Sequence, residues 1–231
     1  MEKGATSAPA DLTGFVWLAR HGKKEPETGE CNWKLSLLSE GVRELESQAT
    51  RLAGLSDALR PRFILCSPFP RCIATAAIYA RALNIAELCI EPGLCEVLTP
   101  SLGMKGLGGN VPEWTADELT AIAQMYGGPT ITINKTYAPA VCVLMPESSS
   151  SSRAEVNRRA SLMAEKVLAR EFNGWLFVTH GSPFKRMADI LALDKPAGSE
   201  FMEPQMGALL CLKYVASETL PMAEMWLPSA I

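Results

Sequence analysis

Two histidines, His21 and His180, are the only imidazoles in the chain, and each stands directly before a glycine at the end of a short apolar run. Arg20 precedes the first of them. Arg71 follows another apolar run after the turn Ser67-Pro68-Phe69-Pro70, and Glu96 follows a third after Glu91-Pro92-Gly93. Arginine offers rigid, paired donors that match phosphate oxygens, and it stays charged. Two arginines with two imidazoles would make a pocket for a tetrahedral dianion. A neutral imidazole there can attack phosphorus, and the covalent intermediate divides one hard displacement into two easier ones. A carboxyl beside a bound anion is driven toward its protonated form and can then give a proton to a leaving oxygen. Glu91 and Glu96 are equal candidates for that carboxyl on spacing alone.

Positioning these groups needs an open parallel sheet, in which residues just past the carboxyl ends of the strands converge on one crevice. Four apolar runs read as buried strands: Phe15–Ala19, Arg62–Cys66, Glu87–Ile90 and Trp175–Thr179. Helical stripes separate them: Val42, Leu45, Ala49, Leu52 after an expected N-cap at Ser39; Ile73, Ala76, Ala80, Leu83; Val156, Ala160, Met163, Val167; and Phe184, Met187, Leu191. Strands that are apolar throughout and alternate with helices imply an α/β fold, a three-layer α/β/α sandwich around a mostly parallel sheet. The later runs Ala208–Val215 and Met222–Leu227 would add strands to it. Ser182 is expected to cap the last helix with Pro183 at its first position, which would aim free amides at the site. Gly22, Gly181, Ser182 and Lys24 are therefore expected to bind substrate beside Arg20, His21, Arg71 and His180, with Lys23 and Lys24 raising the local positive potential.

Residues 98–152 break the alternation. They are rich in glycine and proline and end in Ser148–Ser152, so this stretch reads as an insertion or lid after the third strand, with a helical stripe over Asp117–Tyr126. The whole chain, 1–231, reads as one domain.

Composition sets bounds on the rest. The chain has 231 residues, 48% hydrophobic and 20% charged, which fits a globular protein rather than a disordered or fibrous one. A net charge of −3 argues against a surface built for nucleic acid or membrane, so any anion site must be made locally. Met1–Thr13 lacks a basic stretch followed by an apolar one, so no signal peptide is expected, and no apolar run has the length of a membrane span. Seven scattered cysteines without a Cys-x-x-Cys pair fit a reducing, cytoplasmic setting. Cys66 and Arg71 superficially suggest a cysteine-dependent phosphate loop, but one residue too few separates them, and Cys66 ends an apolar strand. Trp17 and Trp175 read as core. Trp114 reads equally as a pocket wall or a loop anchor.

Taken together, Arg20-His21-Gly22, Ser67-Pro-x-x-Arg71-Cys-x-x-Thr75-Ala76, Glu96 and His180-Gly181 resemble the histidine phosphatase superfamily, with its phosphoglycerate-mutase-like fold. Within it, Cys66-Ser-Pro-x-x-Arg71-Cys72, Glu91-Pro-Gly-Leu-Cys-Glu96 and Ile133-Asn-Lys-Thr-Tyr137-Ala-Pro139 are similar to the phosphatase domain of the suppressor of T-cell receptor signalling proteins and to ecdysteroid-phosphate phosphatase. The resemblance implies His21 as phosphorylated nucleophile, Glu96 as general acid, and Arg20, Arg71 and His180 as the phosphate clamp. It implies hydrolysis of a phosphotyrosine peptide or a small aryl or alkyl phosphate without metal or organic cofactor, in a group where homodimers are common. The alternatives are a phosphoglycerate mutase-type phosphotransferase and an inactive phosphate-binding scaffold. Lys23-Lys24 departs from the Glu common in the superfamily and the Glu-Arg frequent in the closer group. Lys24 keeps a positive charge but lacks arginine's paired fork.

Overall fold

Parallel pairing needs strands whose two faces are both apolar, and the first strand meets that condition residue by residue. The computed structural model describes residues 14–27, 32–98, 113–142, 144, 153–191, 204–214 and 222–226. In strand β1 (Gly14–Arg20), Phe15, Trp17 and Ala19 face one hydrophobic core, while Val16 and Leu18 face the other. Strands β2 (Phe63–Cys66), β3 (Glu87–Ile90) and β5 (Trp175–Thr179) repeat this two-sided burial. Helices α1 (Ser39–Ala53) and α2 (Pro70–Leu83) contribute Leu45, Ala49, Leu52, Ile73, Ala76 and Ala80 to the first core. Helices α4 (Ala154–Leu168) and α5 (Gly181–Leu191) contribute Ala160, Met163, Phe184 and Met187 to the second. The result is the expected three-layer α/β/α sandwich.

Among the described residues the sheet has seven strands, in the order β4 (Thr132–Ile133), β3, β2, β5, β1, β6 (Leu209–Tyr214), β7 (Met222–Trp226). The first five are mutually parallel. Strands β6 (Leu209–Tyr214) and β7 (Met222–Trp226) join antiparallel, β6 against β1 and β7 against β6. The register fixes where the chemistry emerges. Arg20 lies opposite Thr179 across β1 and β5, so the next residues, His21 and His180, leave the sheet side by side. The His21 amide donates to the Thr179 carbonyl at 3.0 Å. On the far side of β5, Cys66 lies opposite both Val178 and Ile90. The Ser67 amide donates to the Val178 carbonyl (3.0 Å), and the Glu91 amide to the Cys66 carbonyl (2.9 Å). Four strand ends are thus laced together before any side chain is considered.

The region after β3 contains more regular structure than an irregular lid. Helix α3 (Ala116–Gly127) starts with a capping box, in which Thr115 accepts from the Glu118 amide while the Glu118 carboxylate accepts from the Thr115 amide. Its Gly127 sits where a Cβ would lie 2.9 Å from the Ala77 carbonyl oxygen, so a larger residue would push α3 off α2. Strand β4 (Thr132–Ile133) then adds a parallel edge to β3. The glycine-rich stretch 99–112 and the serines 148–152 of the expected insertion lie outside the described residues, as does 1–13.

Two helix starts differ from expectation. The N-cap of α1 is Leu38, not Ser39; the Leu38 carbonyl accepts from Val42 at 3.0 Å. Helix α5 begins at Gly181, and the His180 carbonyl accepts from Phe184 at 3.0 Å. Ser182 therefore lies inside the first turn instead of capping it, and Pro183 follows within the same turn, where its missing N–H has no intrahelical partner to lose. Among the described residues no helix is long and apolar enough to cross a membrane.

Candidate functional site

Both imidazoles are buried at the carboxyl ends of β1 and β5, with ring centroids 5.3 Å apart in an edge-on arrangement. The His21 Nδ1 lies 2.8 Å from the Gly22 carbonyl oxygen. A carbonyl can only accept, so Nδ1 carries the hydrogen and Nε2 holds the free lone pair. His180 is gripped from two sides. Its Nδ1 is 3.1 Å from an Arg71 guanidinium nitrogen, and its Nε2 is 2.9 Å from the Ser67 hydroxyl and 3.3 Å from the Cys72 sulfur. Thus His21, Arg71 and His180, far apart in sequence, form one cluster.

Arg71 is the second residue of α2, and its side chain is buried there. A cation at a helix start is unfavourable on dipole grounds, and burial lowers its pKa, while the nearby Glu96 carboxylate works against that shift. The guanidinium carbon sits 4.7 Å from the Phe69 ring centroid, and that ring meets His180 edge-on at 4.8 Å. Arg20 reaches back to the Pro204 carbonyl. Its charge acts on both imidazoles.

Burial, followed by the Arg71 charge, holds both histidines well below the ordinary imidazole pKa. They are therefore neutral at physiological pH, the state a nucleophile requires. The same burial makes stability depend on pH. Histidines of the unfolded chain take up protons near pH 6.5, whereas the folded ones refuse them until the solution is more acidic. Below that value the unfolded state binds more protons, so stability falls as pH falls. Each imidazole costs about 1.4 kcal/mol per pH unit in that window, and lowering pH from 7.5 to 5.5 should remove up to about 3 kcal/mol for the pair. Urea unfolding at the two pH values measures this directly; equal midpoints would contradict the burial of the two rings.

The two glutamates differ in their hydrogen bonds. Glu91 is fully buried and its carboxylate accepts from four donors: the amides of Gly93 (2.8 Å), Ala140 (2.7 Å) and Val141 (3.1 Å), and the Tyr137 hydroxyl (2.9 Å). It ties the segment after β4 to the loop after β3, and its oxygens are occupied. The Glu96 carboxylate is half-buried, accepts from the Val97 amide at 2.9 Å, and lies near enough for its charge to act on Arg71.

Arg159 holds that loop in place. It is fully buried on α4 and donates to the carbonyls of Cys95 (2.9 Å) and Glu96 (3.3 Å), with longer contacts to Pro92 and Gly93. Sequence reasoning missed it. The available signal was a charged residue on the stripe of Val156, Ala160 and Met163, where a cation is tolerated only with buried partners.

The remaining expected site residues are placed less directly. The Gly22 amide donates to the Thr75 hydroxyl at 3.1 Å, and a Cβ there would come within 2.6 Å of Leu45, so packing accounts for this glycine. Gly181 and Ser182 occupy the first turn of α5, beside His180. Lys24 pairs with Glu27 at 2.9 Å, and its charge reaches His21. Lys23 does not join this group: its ammonium lies 2.6 Å from both Glu40 and Glu44 on α1, which neutralise it. Burial pushes the Cys66 thiol up, and it donates to the Cys89 carbonyl, as a packing cysteine would. Trp114 meets Trp33 edge-on and tilts against Phe69 at 5.2 Å, so it backs the ring that supports His180. Trp33 and Trp114 also line an apolar cleft of about 420 Å³ with Ala74, Ile122, Met125 and Tyr126.

The sequence model of the histidine phosphatase superfamily (branch 1) matches residues 16–107, the stretch that holds Arg20, His21, Arg71 and Glu96. No curated protein matches the sequence. Among solved structures, ecdysone phosphate phosphatase from Bombix mori is similar with a TM-score of 0.57 at 16% identity, covering 94% of this chain and 97% of that one. A mycobacterial glucosyl-3-phosphoglycerate phosphatase gives 0.54 at 17% identity, covering 95% and 100%. The protein histidine phosphatase SixA gives 0.52 at 14% identity, covering 93% and 97%. These likenesses show a shared fold.

Proposed function

We propose that this chain is a phosphomonoesterase of the histidine phosphatase superfamily, acting through a phosphohistidine on His21. The observation that carries the reading is the meeting of two buried neutral imidazoles with Arg71 at adjoining strand ends, within 5.3 Å between rings and 3.1 Å between Arg71 and His180. Superfamily similarity over residues 16–107 and the phosphatases among the structural neighbours add to it.

In this mechanism Arg20, Arg71 and His180 hold the phosphoryl oxygens, with Lys24 adding positive potential at the mouth. The Nε2 lone pair of His21 attacks phosphorus while Nδ1–H stays on the Gly22 carbonyl, which orients the ring along the attack. The bond from phosphorus to the ester oxygen breaks, and Glu96 gives that oxygen its proton, so a neutral alcohol or phenol leaves. Glu96 then takes a proton from water as the water attacks the phosphohistidine. Inorganic phosphate departs and the imidazole returns to its neutral form. The guanidinium groups supply charge stabilisation at the transferring phosphoryl group.

The substrate class is a phosphotyrosine peptide or a small aryl or alkyl phosphate. Phosphate release should be measured over phosphopeptides, aryl phosphates, alkyl phosphates and sugar phosphates from acid to neutral pH, alongside interconversion of 2- and 3-phosphoglycerate. Turnover of aryl esters without interconversion is expected. Interconversion would favour a mutase, and anion binding without turnover on any ester would leave a scaffold.

A further inference from the structure

We infer that Ser67 is a positioning residue for His180: it takes the Nε2 hydrogen and so fixes which nitrogen the second imidazole turns toward Arg71. The importance of this for catalysis rests on the proposed role of His180 in the phosphate clamp. The tautomer itself does not depend on that role.

A guanidinium has five N–H donors and no acceptor, so the Arg71 nitrogen 3.1 Å from His180 Nδ1 must donate, and Nδ1 must hold a lone pair. A neutral ring then carries its hydrogen on Nε2, which is 2.9 Å from the Ser67 oxygen. Ser67 accepts that hydrogen and has its own to give to the Cys95 sulfur at 3.7 Å, immediately before Glu96 in sequence. The Ser67 main chain is pinned to Val178 on the strand that carries His180, so the hydroxyl is held by the same register that places the ring. Ser67 is fully buried, and solvent cannot replace its oxygen. Cys72 lies 3.3 Å from Nε2, but a thiol is a weak acceptor.

His21 makes the opposite choice, with Nδ1–H on the Gly22 carbonyl. The site therefore holds one ring of each tautomer: the nucleophile exposes Nε2, whereas His180 keeps Nε2–H for Ser67 and offers Nδ1 to Arg71. Without the Ser67 oxygen, the Nε2–H loses its strong acceptor. The ring can then shift its hydrogen to Nδ1, where it opposes the N–H of Arg71 and disorders the clamp.

The test is a ¹⁵N–¹H two-bond correlation spectrum of the ligand-free full chain with labelled histidine at neutral pH. The chain has only two histidines, and the His21→Ala variant assigns them. The expected spectrum shows His21 as Nδ1–H and His180 as Nε2–H. Ser67→Ala should move His180 toward Nδ1–H and lower kcat/KM roughly tenfold, mostly through KM, the size expected for one lost buried hydrogen bond. Ser67→Thr, which keeps the hydroxyl, should restore the wild-type tautomer. A wild-type His180 in the Nδ1–H form overturns the inference, even if Ser67→Ala fails to fold. So does a folded Ser67→Ala protein with unchanged tautomer and kinetics. Absence of turnover in every variant with the expected tautomers would instead overturn the hydrolase reading and leave the positioning role of Ser67 standing.

Discussion

Replacing His21 by alanine is expected to lower kcat for phosphate release by about 10⁴-fold or more, because the covalent route disappears and only anion binding and orientation remain. The expectation follows from the free Nε2, the only imidazole lone pair in the cluster not engaged by Arg71. The clamp does not depend on that ring: Arg71 is held by His180, and His180 by Ser67. The variant should therefore still bind vanadate or inorganic phosphate while losing turnover. Stopped assays with a phosphate-release readout and calorimetric titration with phosphate separate these two effects. Turnover within tenfold of wild type would remove His21 from the mechanism, and loss of both turnover and phosphate binding would show collapse of the pocket instead.

The second large effect concerns the proton. Glu96→Gln keeps the side-chain oxygen that accepts from Val97 and the loop carbonyls that accept from Arg159, so loop geometry should survive. What is lost is the transferable proton. General acid catalysis contributes about 10²–10⁴-fold, and the contribution grows as the leaving oxygen becomes more basic. The variant should lose about that factor on an alkyl phosphate and much less on p-nitrophenyl phosphate, whose phenolate leaves unaided. Rates on a series of esters with graded leaving-group basicity test this; an equal loss across the series would assign Glu96 to binding rather than acid catalysis. The same substitution at Glu91 would not discriminate among esters, because that carboxylate is enclosed by four donors and acts on loop structure.

These expectations draw unequally on sequence and structure. The strands were legible because two-sided burial demands unbroken apolar runs, and Glu87–Ile90 and Trp175–Thr179 begin and end where periodicity places them. Given parallel strands, convergence of His21, Arg71 and His180 follows from topology. Strand β4 escaped because two residues, Thr132 and Ile133, are too few to show a period; pairing with Leu88 makes them a strand. The N-cap at Leu38 and the helix start at Gly181 escaped for a different reason. Ser39 and Ser182 are favoured caps in general, but here the strand-to-helix path brings the preceding carbonyl into the first helical hydrogen bond.

The polar network around the site was the least legible part. Glu91 and Glu96 are the same residue type in the same loop, and only three-dimensional donor placement distinguishes them. Lys23 and Lys24 are adjacent in sequence yet diverge, because Lys23 faces Glu40 and Glu44 across the start of α1 while Lys24 stays at the mouth with Glu27. Gln48 belongs with Arg159 as a polar residue on an apolar helical stripe. It is buried between Leu45 and Ala49, donates to the Gly207 carbonyl at 3.1 Å, and accepts from the Tyr79 hydroxyl. Such positions mark places where a core must satisfy a polar group, and they are readable once a stripe has been drawn.

The most direct test of the central claim is to trap the intermediate. The full chain is mixed with a ³²P-labelled aryl phosphate, quenched in base within milliseconds, and digested to locate the label. An acid-labile, base-stable phosphoryl group on the peptide that contains His21, absent from the His21→Ala protein, is the predicted result. Turnover with no such label, or with the label on a peptide that lacks His21, would contradict the account.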